Sequence, residues 1–303
     1  SKVDKRPFTV WSSNFGPWRG NISSMTVDTL QITPLAPPLG AEIGGVDLSG
    51  DLSDGVIAGI RQALLDHLVV FFRDQDITPA QHLAFARRFG EIVSYPMVTG
   101  LEDHPEIVPV VKLADETHNF GGIWHSDTTY LPQPPMGAIL VARELPPKGG
   151  ATLFANMVTA YEALPEAMKE RLSGLIAINS SAKDHVAKSR EDRQKDMDDV
   201  PEPLSAEHPA VRTHPETGRQ AIYINPAYTT HFEGMAEDES AALMKKIFSH
   251  CLQDRFRMRY IWRAGDVVAW DNAATMHSAT TKNLDPARHR TIWRVTISGG
   301  PAF

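Results

Sequence analysis

A histidine and an aspartate stand two positions apart in "GGIWHSDTTY", residues 121–130, so His125 and Asp127 bring an imidazole nitrogen and a carboxylate oxygen into one short segment. Such a pair can hold a metal ion. The chain has twelve histidines, and the spacing His-x-Asp/Glu recurs at His104/Glu106, His214/Glu216 and His231/Glu233, so spacing alone selects nothing. His104 and His214 stand in "HPE" turns, where surface exposure is expected, and His231 lies in the turn-like "THFEGM". His125 differs because the run after it, "SDTTY", has strand propensity, and residues two apart on a strand point to the same face.

A third ligand would complete a two-histidine, one-carboxylate facial set that leaves three positions of an octahedral iron open. The candidate is His277, just past the apolar strand pattern in "GDVVAWDNAATMH". The following strand pattern, "RHRTIWRVTIS", places Arg290, Ile292 and Arg294 on one face. Two guanidiniums on the core side of a strand are costly unless anions pair with them, and each fork fits a carboxylate in bidentate fashion. An open metal position beside paired arginines points to an anionic cosubstrate and an anionic substrate.

The elements that must position these residues read as follows. "LQITPLAPPLGAEIGGVDLS" gives short strands broken by Pro and Gly. Ile57, Ile60, Leu64 and Leu65 recur at helical spacing between Asp54 and Leu68, and "LVVFFRD" is a buried strand. Thr78-Pro79-x-Gln81 caps a helix that stops at Gly90. From residue 107 onward short strands dominate: "IVPVVKL", "GAILVAREL", "ATLFANM", "QAIYIN", "DVVAWDN" and "RTIWRVTIS". Helical patterns interrupt them near 158–173 and 237–252, and the second puts Cys251 on its apolar face. The mixture predicts an α+β fold, a jelly-roll-like sandwich or barrel with flanking helices. No G-x-G-x-x-G follows a strand, which disfavours a Rossmann fold.

Several residues near the candidate site keep two readings. Asp271 and Asn272 either orient His277 or only form the turn, and Phe154 either lines a cosubstrate pocket or packs. Trp270 and Trp293 are expected in the core. The charged segment 183–207, with Pro201 and Pro203, is either a lid or a plain surface insertion.

Of the 303 residues 42% are hydrophobic and 22% charged, with a formal net charge of -7. That balance argues against a nucleic-acid or anionic-membrane surface, while local arginines still allow a small anionic substrate. Cys251 is the single cysteine, which excludes an internal disulfide and Cys-rich metal sites and suits a cytoplasmic location. No apolar run approaches the roughly 18 residues of a membrane span. Residues 1–24 read as an N-terminal extension before Met25 and make a poor signal peptide, leaving 25–303 as a single domain.

From about Leu30 to the C-terminus the chain resembles the taurine dioxygenase / 2,4-dichlorophenoxyacetate dioxygenase (TauD/TfdA) family of Fe(II)- and 2-oxoglutarate-dependent oxygenases. The segments that carry the resemblance are "LGAEIGGVDL", "FARRFGEI", "WHSDTTYLPQPP", "KGGATLFANM", "HPAVRTHPETGRQAIYIN", "WDNAATMH" and "RHRTIWRVTI", in this order. The resemblance implies a double-stranded β-helix, a form of jelly roll, with the metal at its open end. It implies His125, Asp127 and His277 as iron ligands. Arg290 would clamp the distal carboxylate of 2-oxoglutarate, Thr152 would bind the carboxylate that chelates iron, and Arg294 would take the acidic group of the primary substrate. The loop after His277 is slightly longer than in typical members, which makes Arg288 a rival to Arg290, although strand register favours Arg290.

The implied reaction consumes 2-oxoglutarate and O2, releases succinate and carbon dioxide, and hydroxylates the substrate next to a heteroatom, so that the product splits to a carbonyl compound and an anion. Family precedent implies a homo-oligomer. Tyr95 and Gly121 stand where taurine-binding members carry a histidine and an asparagine. That departure points to an aryloxyalkanoate, an alkyl sulfate ester or a longer sulfonate, with taurine itself as the alternative. Readings from other classes are a zinc hydrolase on the same three ligands and a non-catalytic jelly-roll binding protein. The zinc reading leaves the paired arginines and "GGATLF" without a role.

Overall fold

Short strands β1 (Gln31–Pro34) and β2 (Ala41–Gly44) open the computed structural model, which describes residues 30–303 apart from 36–37, 95–97, 113–119, 195–201, 283 and 285–289. The extension 1–24, Tyr95, Arg288 and Pro201 therefore lie outside the described residues. Helix α1 (Asp54–His67) starts at Ser53, whose hydroxyl accepts from the Val56 amide, and it ends at Leu68 with φ of 64°. Strand β3 (Val69–Phe72) follows. Helix α2 (Pro79–Arg87) begins with a complete capping box between Thr78 and Gln81 and a proline in its first turn, as the sequence predicts.

Strands β4 (Ile92–Val93), β5 (Val108–Val111), β6 (Gly137–Glu144) and β7 (Thr152–Asn156) come next. The helical pattern near 158–173 is two helices, α3 (Met157–Glu162) and α4 (Glu166–Leu172), because Pro165 cannot sit inside a continuous helix and instead caps the second. Strand β8 (Ile176–Ser180) leads to α5 (Asp184–Gln194), where the charged insertion is helical at its start. Its run lacks Gly and Pro, Asp184 pairs with Lys188 one turn on, and Val186 packs with Tyr130, Ala227 and Tyr228, so local propensity and one apolar anchor support the helix. Strands β9 (Ser205–Pro209), β10 (Val211–Thr213), β11 (Gln220–Ile222) and β12 (Thr229–Phe232) precede α6 (Glu237–Cys251). The chain closes with β13 (Arg257–Tyr260), β14 (Val267–Asp271), β15 (Thr275–Ala279) and β16 (Thr291–Ile297).

The large sheet runs β1-β2-β3-β14-β6-β16-β4, with β5 also on β16, and β13-β7-β15 forms the smaller sheet opposite. Strands β12-β8-β9 and the hairpin β10-β11 extend the second layer, and the whole is a double-stranded β-helix, or jelly roll, with flanking helices. Alternation along the large sheet sends one set of side chains outward under α1 and α2: Val70, Phe72, Val141, Val267, Ala269 and Val295 pack with Ile60 and Phe85. The other set, including Phe71, Leu140, Val268, Trp270 and Ile292, faces inward and meets Phe154 of β7. Behind the smaller sheet, Ala155 and Met276 join Leu243, Ile247 and Cys251 of α6 in a third cluster. Burial on both faces explains the unbroken apolar runs of β3 and β14. Among the described residues, no helix is long and apolar enough to cross a membrane.

One buried histidine belongs to this framework and not to the chemistry. His82 on α2 is fully buried, and its Nε2–H donates to the Ile139 carbonyl at 3.0 Å, which ties the helix to the middle of β6. Burial pushes its pKa down from 6.5 to about 4, against the opposing effect of the Ile139 bond. The folded protein thus keeps His82 neutral where an unfolded chain would protonate it. This contribution to stability is fully present above pH 6.5 and is lost as pH falls towards about 4. At its limit it is about 3 kcal/mol. A His82→Gln variant should be less stable at pH 7 yet show a flatter decline in melting temperature between pH 7 and 5. Parallel pH profiles for the two proteins would remove His82 from the acid sensitivity.

Candidate metal centre

At the entry to β15, Ala274 and then Met276 turn toward the outer cluster, which leaves Thr275 and His277 facing between the sheets. His277 sits directly opposite His125, and their backbones exchange two hydrogen bonds of 3.0 and 2.8 Å as an isolated bridge. The strand expected for "SDTTY" does not form. Asp127–Tyr130 is a turn, with Thr128 at φ of 43°. The reason is Asn272, whose side-chain amide replaces a neighbouring strand. Its Oδ1 accepts from the Asp127 amide at 2.6 Å, and its Nδ2 donates to the carbonyls of Asp127 and Pro135 at 3.1 Å each. The backbone is satisfied at Asp127 without a partner strand and is free to turn there. The two side chains come together as expected, on a backbone other than the expected strand.

The Nε2 atoms of His125 and His277 each lie 3.7 Å from Asp127 Oδ1, and one ligand atom from each of the three residues falls within 4.8 Å of the others. All three side chains are buried. His125 Nδ1–H donates to the Ile123 carbonyl at 2.6 Å, which turns Nε2 toward Asp127 and His277. The His277 ring is held by packing, with Trp270 at 4.5 Å and Phe154 at 6.0 Å between ring centres. Burial, with His125 beside it, keeps His277 well below the usual histidine range, so it is neutral at neutral pH. Burial pushes the Asp127 carboxyl up, but Arg294 and the two imidazoles outweigh it and hold the pKa below the usual value. Asp127 Oδ1 accepts from Arg294 Nη1 at 2.9 Å, while Oδ2 is buried with no partner among the described residues. A neutral His277, a His125 whose Nδ1–H is spent on the Ile123 carbonyl, and an ionised carboxylate fit a divalent iron-type ion.

Arg290, Ile292 and Arg294 share the inward face of β16, as alternation predicts, and the two arginines are 4% and 8% exposed. Arg294 Nε also donates to Thr296 Oγ1 at 3.2 Å. Arg290 Nε donates to the Gly150 carbonyl at 3.3 Å, and burial lowers its pKa to about 10. Among the described residues no carboxylate pairs with it. Gly150 has φ of 69°, and a Cβ there would stand 3.1 Å from Arg290 Nε, so the glycine cradles the guanidinium. Two residues on, Thr152 is buried beside the His277 strand, since Thr152 pairs with Ala279 and Phe154 with His277. Phe154 and Trp270 are core residues that also wall the site. Trp293 is only half-buried, under the Arg143 guanidinium at 4.4 Å.

His214 overturns its surface reading. It is 5% exposed, and its Nδ1 accepts from the amides of Glu216 and Thr217 at 3.2 and 3.1 Å. The proton is therefore on Nε2, which donates to Asp271 Oδ2 at 2.6 Å. Asp271 Oδ1 accepts from the amides of Ala273 and Ala274 and sets the turn that delivers β15. Asp271 thus forms the turn and Asn272 holds Asp127, while neither bonds His277. Nothing in the turn spacing of "THPETG" signals this role. His104 and His231 lie outside the metal cluster.

A cavity opens from Asp127 and Arg294 toward Gly121, Ile123, Val186, Ser189, Ala227 and Tyr228. Tyr228 meets His125 edge-on at 6.0 Å. Lys183 Nζ donates to the carbonyls of Pro226 and Thr229 at 2.7 and 2.8 Å, which ties the start of α5 to the loop bearing Ala227 and Tyr228. Val186 and Ser189 of this helix line the cavity, on the segment the sequence read as either a lid or a plain surface insertion, while Tyr228 is a wall residue that sequence reasoning missed. Of the two residues read as substrate contacts besides Arg294, Gly121 lines this cavity.

The family profile described as "Taurine catabolism dioxygenase TauD, TfdA family" matches residues 31–296. The chain is 31% identical to an alkylsulfatase of Acinetobacter baylyi over 276 residues, covering 89% of this chain and 85% of the relative. It is 33% identical to an (S)-phenoxypropionate/alpha-ketoglutarate-dioxygenase of Sphingobium herbicidovorans over 288 residues, covering 89% and 96%. A solved taurine dioxygenase from Burkholderia xenovorans superposes with a TM-score of 0.76 at 34% identity, covering 90% of each chain.

The Asn272 contacts carry a measurable consequence. Asn272→Ala would strand the buried Asp127 amide, at a cost of about 1–3 kcal/mol, and release the turn that aims the carboxylate. Calorimetric titration with Mn(II) should show affinity reduced by about 10–100-fold. Unchanged affinity would mean that the His125–His277 bridge alone positions Asp127.

Proposed function

The chain belongs to the taurine catabolism dioxygenase TauD, TfdA family of Fe(II)- and 2-oxoglutarate-dependent dioxygenases, and on that premise we propose that it hydroxylates a small anion with an apolar body next to its heteroatom. His125, Asp127 and His277 hold the iron. Arg290 receives the distal carboxylate of 2-oxoglutarate, and Thr152 receives the carboxylate next to the keto group. When bound, Fe(II) with 2-oxoglutarate and O2 supplies the oxidising power that places an oxygen atom on a C–H bond, while succinate and carbon dioxide leave. The observation that carries this reading is the pairing of an orphaned Asp127 oxygen with a buried Arg290 that no described carboxylate neutralises. A zinc hydrolase would give Arg290 nothing to bind.

The protein's own residues supply positioning and exclusion of water. Arg294 is fixed by Asp127 and Thr296 before any substrate arrives, so its guanidinium meets the substrate's anion with little loss of freedom. Ile123, Val186, Ala227 and Tyr228 offer an apolar wall to the rest of the molecule. The names of the three relatives cover a sulfate, an aryloxy carboxylate and a sulfonate, which share a compact anionic end. Taurine itself is the weaker alternative. The carboxylate among the described cavity residues is Asp127, already bonded to Arg294, and Gly121 brings no side chain to hold an ammonium group.

The test is aerobic succinate formation from the Fe(II)-loaded protein with 2-oxoglutarate and a panel of taurine, longer sulfonates, alkyl sulfates and aryloxyalkanoates. One class should raise succinate well above the substrate-free rate, and Asp127→Ala should abolish it. No turnover at all in metallated protein, coupled or uncoupled, would sink the proposal. Arg290→Gln should raise the 2-oxoglutarate KM on the order of 100-fold. Gly150→Ala should shift it the same way by a smaller factor, since the added methyl displaces the guanidinium.

A further inference from the structure

Thr152 lies buried on β7, and its hydroxyl Oγ1 accepts the indole Nε1–H of Trp262 at 2.9 Å. An indole nitrogen only donates, so this bond can run in one direction. A threonine hydroxyl has one proton and two lone pairs. Trp262 occupies a lone pair and leaves the proton unspent. No other hydrogen bond of this hydroxyl occurs among the described residues.

The indole that makes this contact is itself fixed. Trp262 is buried, and its ring meets Tyr260 edge-on at 5.2 Å. Tyr260 is stacked on Phe71 at 4.1 Å, and its hydroxyl donates to Asp266 at 2.7 Å. Along the chain, Ile261 points outward at 67% exposure, so the register at the end of β13 turns Trp262 in toward Thr152. Packing alone would be served by any large apolar ring. The feature particular to tryptophan here is the N–H.

We propose that Trp262 is a positioning residue for the cosubstrate: by filling one lone pair of the Thr152 hydroxyl, it holds the Thr152 proton toward the 2-oxoglutarate carboxylate. The inference rests on the reading of Thr152 as a carboxylate contact. It adds that the hydroxyl is oriented before the cosubstrate binds, so no rotor freedom is lost on binding. Arg290 contributes charge at the far end of the cosubstrate, and the Trp262–Thr152 pair contributes direction at the near end.

The experiment combines Trp262→Phe, which keeps a ring and removes the donor, with Thr152→Val, which keeps the shape and removes the hydroxyl. Calorimetric titration of 2-oxoglutarate into Mn(II)-loaded protein should give a dissociation constant about fivefold weaker for Trp262→Phe. The KM for 2-oxoglutarate should rise with it, while kcat at saturating cosubstrate and the Mn(II) affinity stay near those of the parent. In the Thr152→Val background, Trp262→Phe should change nothing further, because the group it orients is gone. An unchanged constant for Trp262→Phe, or an equal loss in both backgrounds, overturns the proposal and leaves the Thr152 assignment standing. If Thr152→Val binds 2-oxoglutarate as the parent does, the Thr152 assignment itself fails and the proposal with it. Should Trp262→Phe not fold, hydrogen exchange of the Trp262 indole N–H in the metal-free protein decides. Protection that disappears in Thr152→Val supports the bond, and rapid exchange in the parent overturns it.

Discussion

Asp127 and Arg294 form an ion pair almost wholly removed from water, at 2.9 Å between the sheets of the jelly roll. Taking either charge into such a place costs several kcal/mol, and only close, directed partners recover it. The surroundings follow from that constraint. Asn272 fixes the backbone of Asp127, Arg294 is braced by Thr296, and the imidazoles of His125 and His277 stand against the carboxylate. Arg290 obeys the same constraint with one partner missing. Among the described residues its hydrogen-bond partner is the Gly150 carbonyl, and no described carboxylate offsets the desolvated charge.

The large sheet makes this placement possible because it is buried on both sides. Its outer face is anchored by α1 and α2, and Met276 and Ala274 anchor the smaller sheet from behind. Two apolar layers therefore clamp a polar seam. The backbone hydrogen bonds between His125 and His277 then set the separation of two ligands by strand geometry and not by side-chain choice.

Much of the architecture was legible along the chain. The capping box at Thr78 and Gln81, the apolar runs of β3 and β14, and the alternation of Arg290, Ile292 and Arg294 are local patterns, and each forms as read. What was hidden is non-local and polar. Asn272 reaches Asp127 across 145 positions, Trp262 reaches Thr152 across 110, and His214 reaches Asp271 across 57. A hydrogen bond between distant side chains leaves no period in a sequence, so His214 resembled a surface turn and Asn272 read as a partner of His277 or a turn residue, never as the holder of Asp127. The charged run that became α5 misled for another reason. Weak hydrophobic patterning hides this helix: among its described side chains the buried ones are Val186 and Ser189.

The metal-ligand cluster with its arginines and the outer wall of the cavity come from different places in the chain. His277, Thr152, Arg290 and Arg294 stand on or beside sheet strands, whereas Val186, Ser189, Ala227 and Tyr228 belong to a roofing helix and the loop latched to it by Lys183. Inheritance can therefore treat the two sets separately. Under the proposed function, substitutions in the helix and loop would alter which molecule fits without touching the metal ligands, so a change of diet need not involve a change of chemistry.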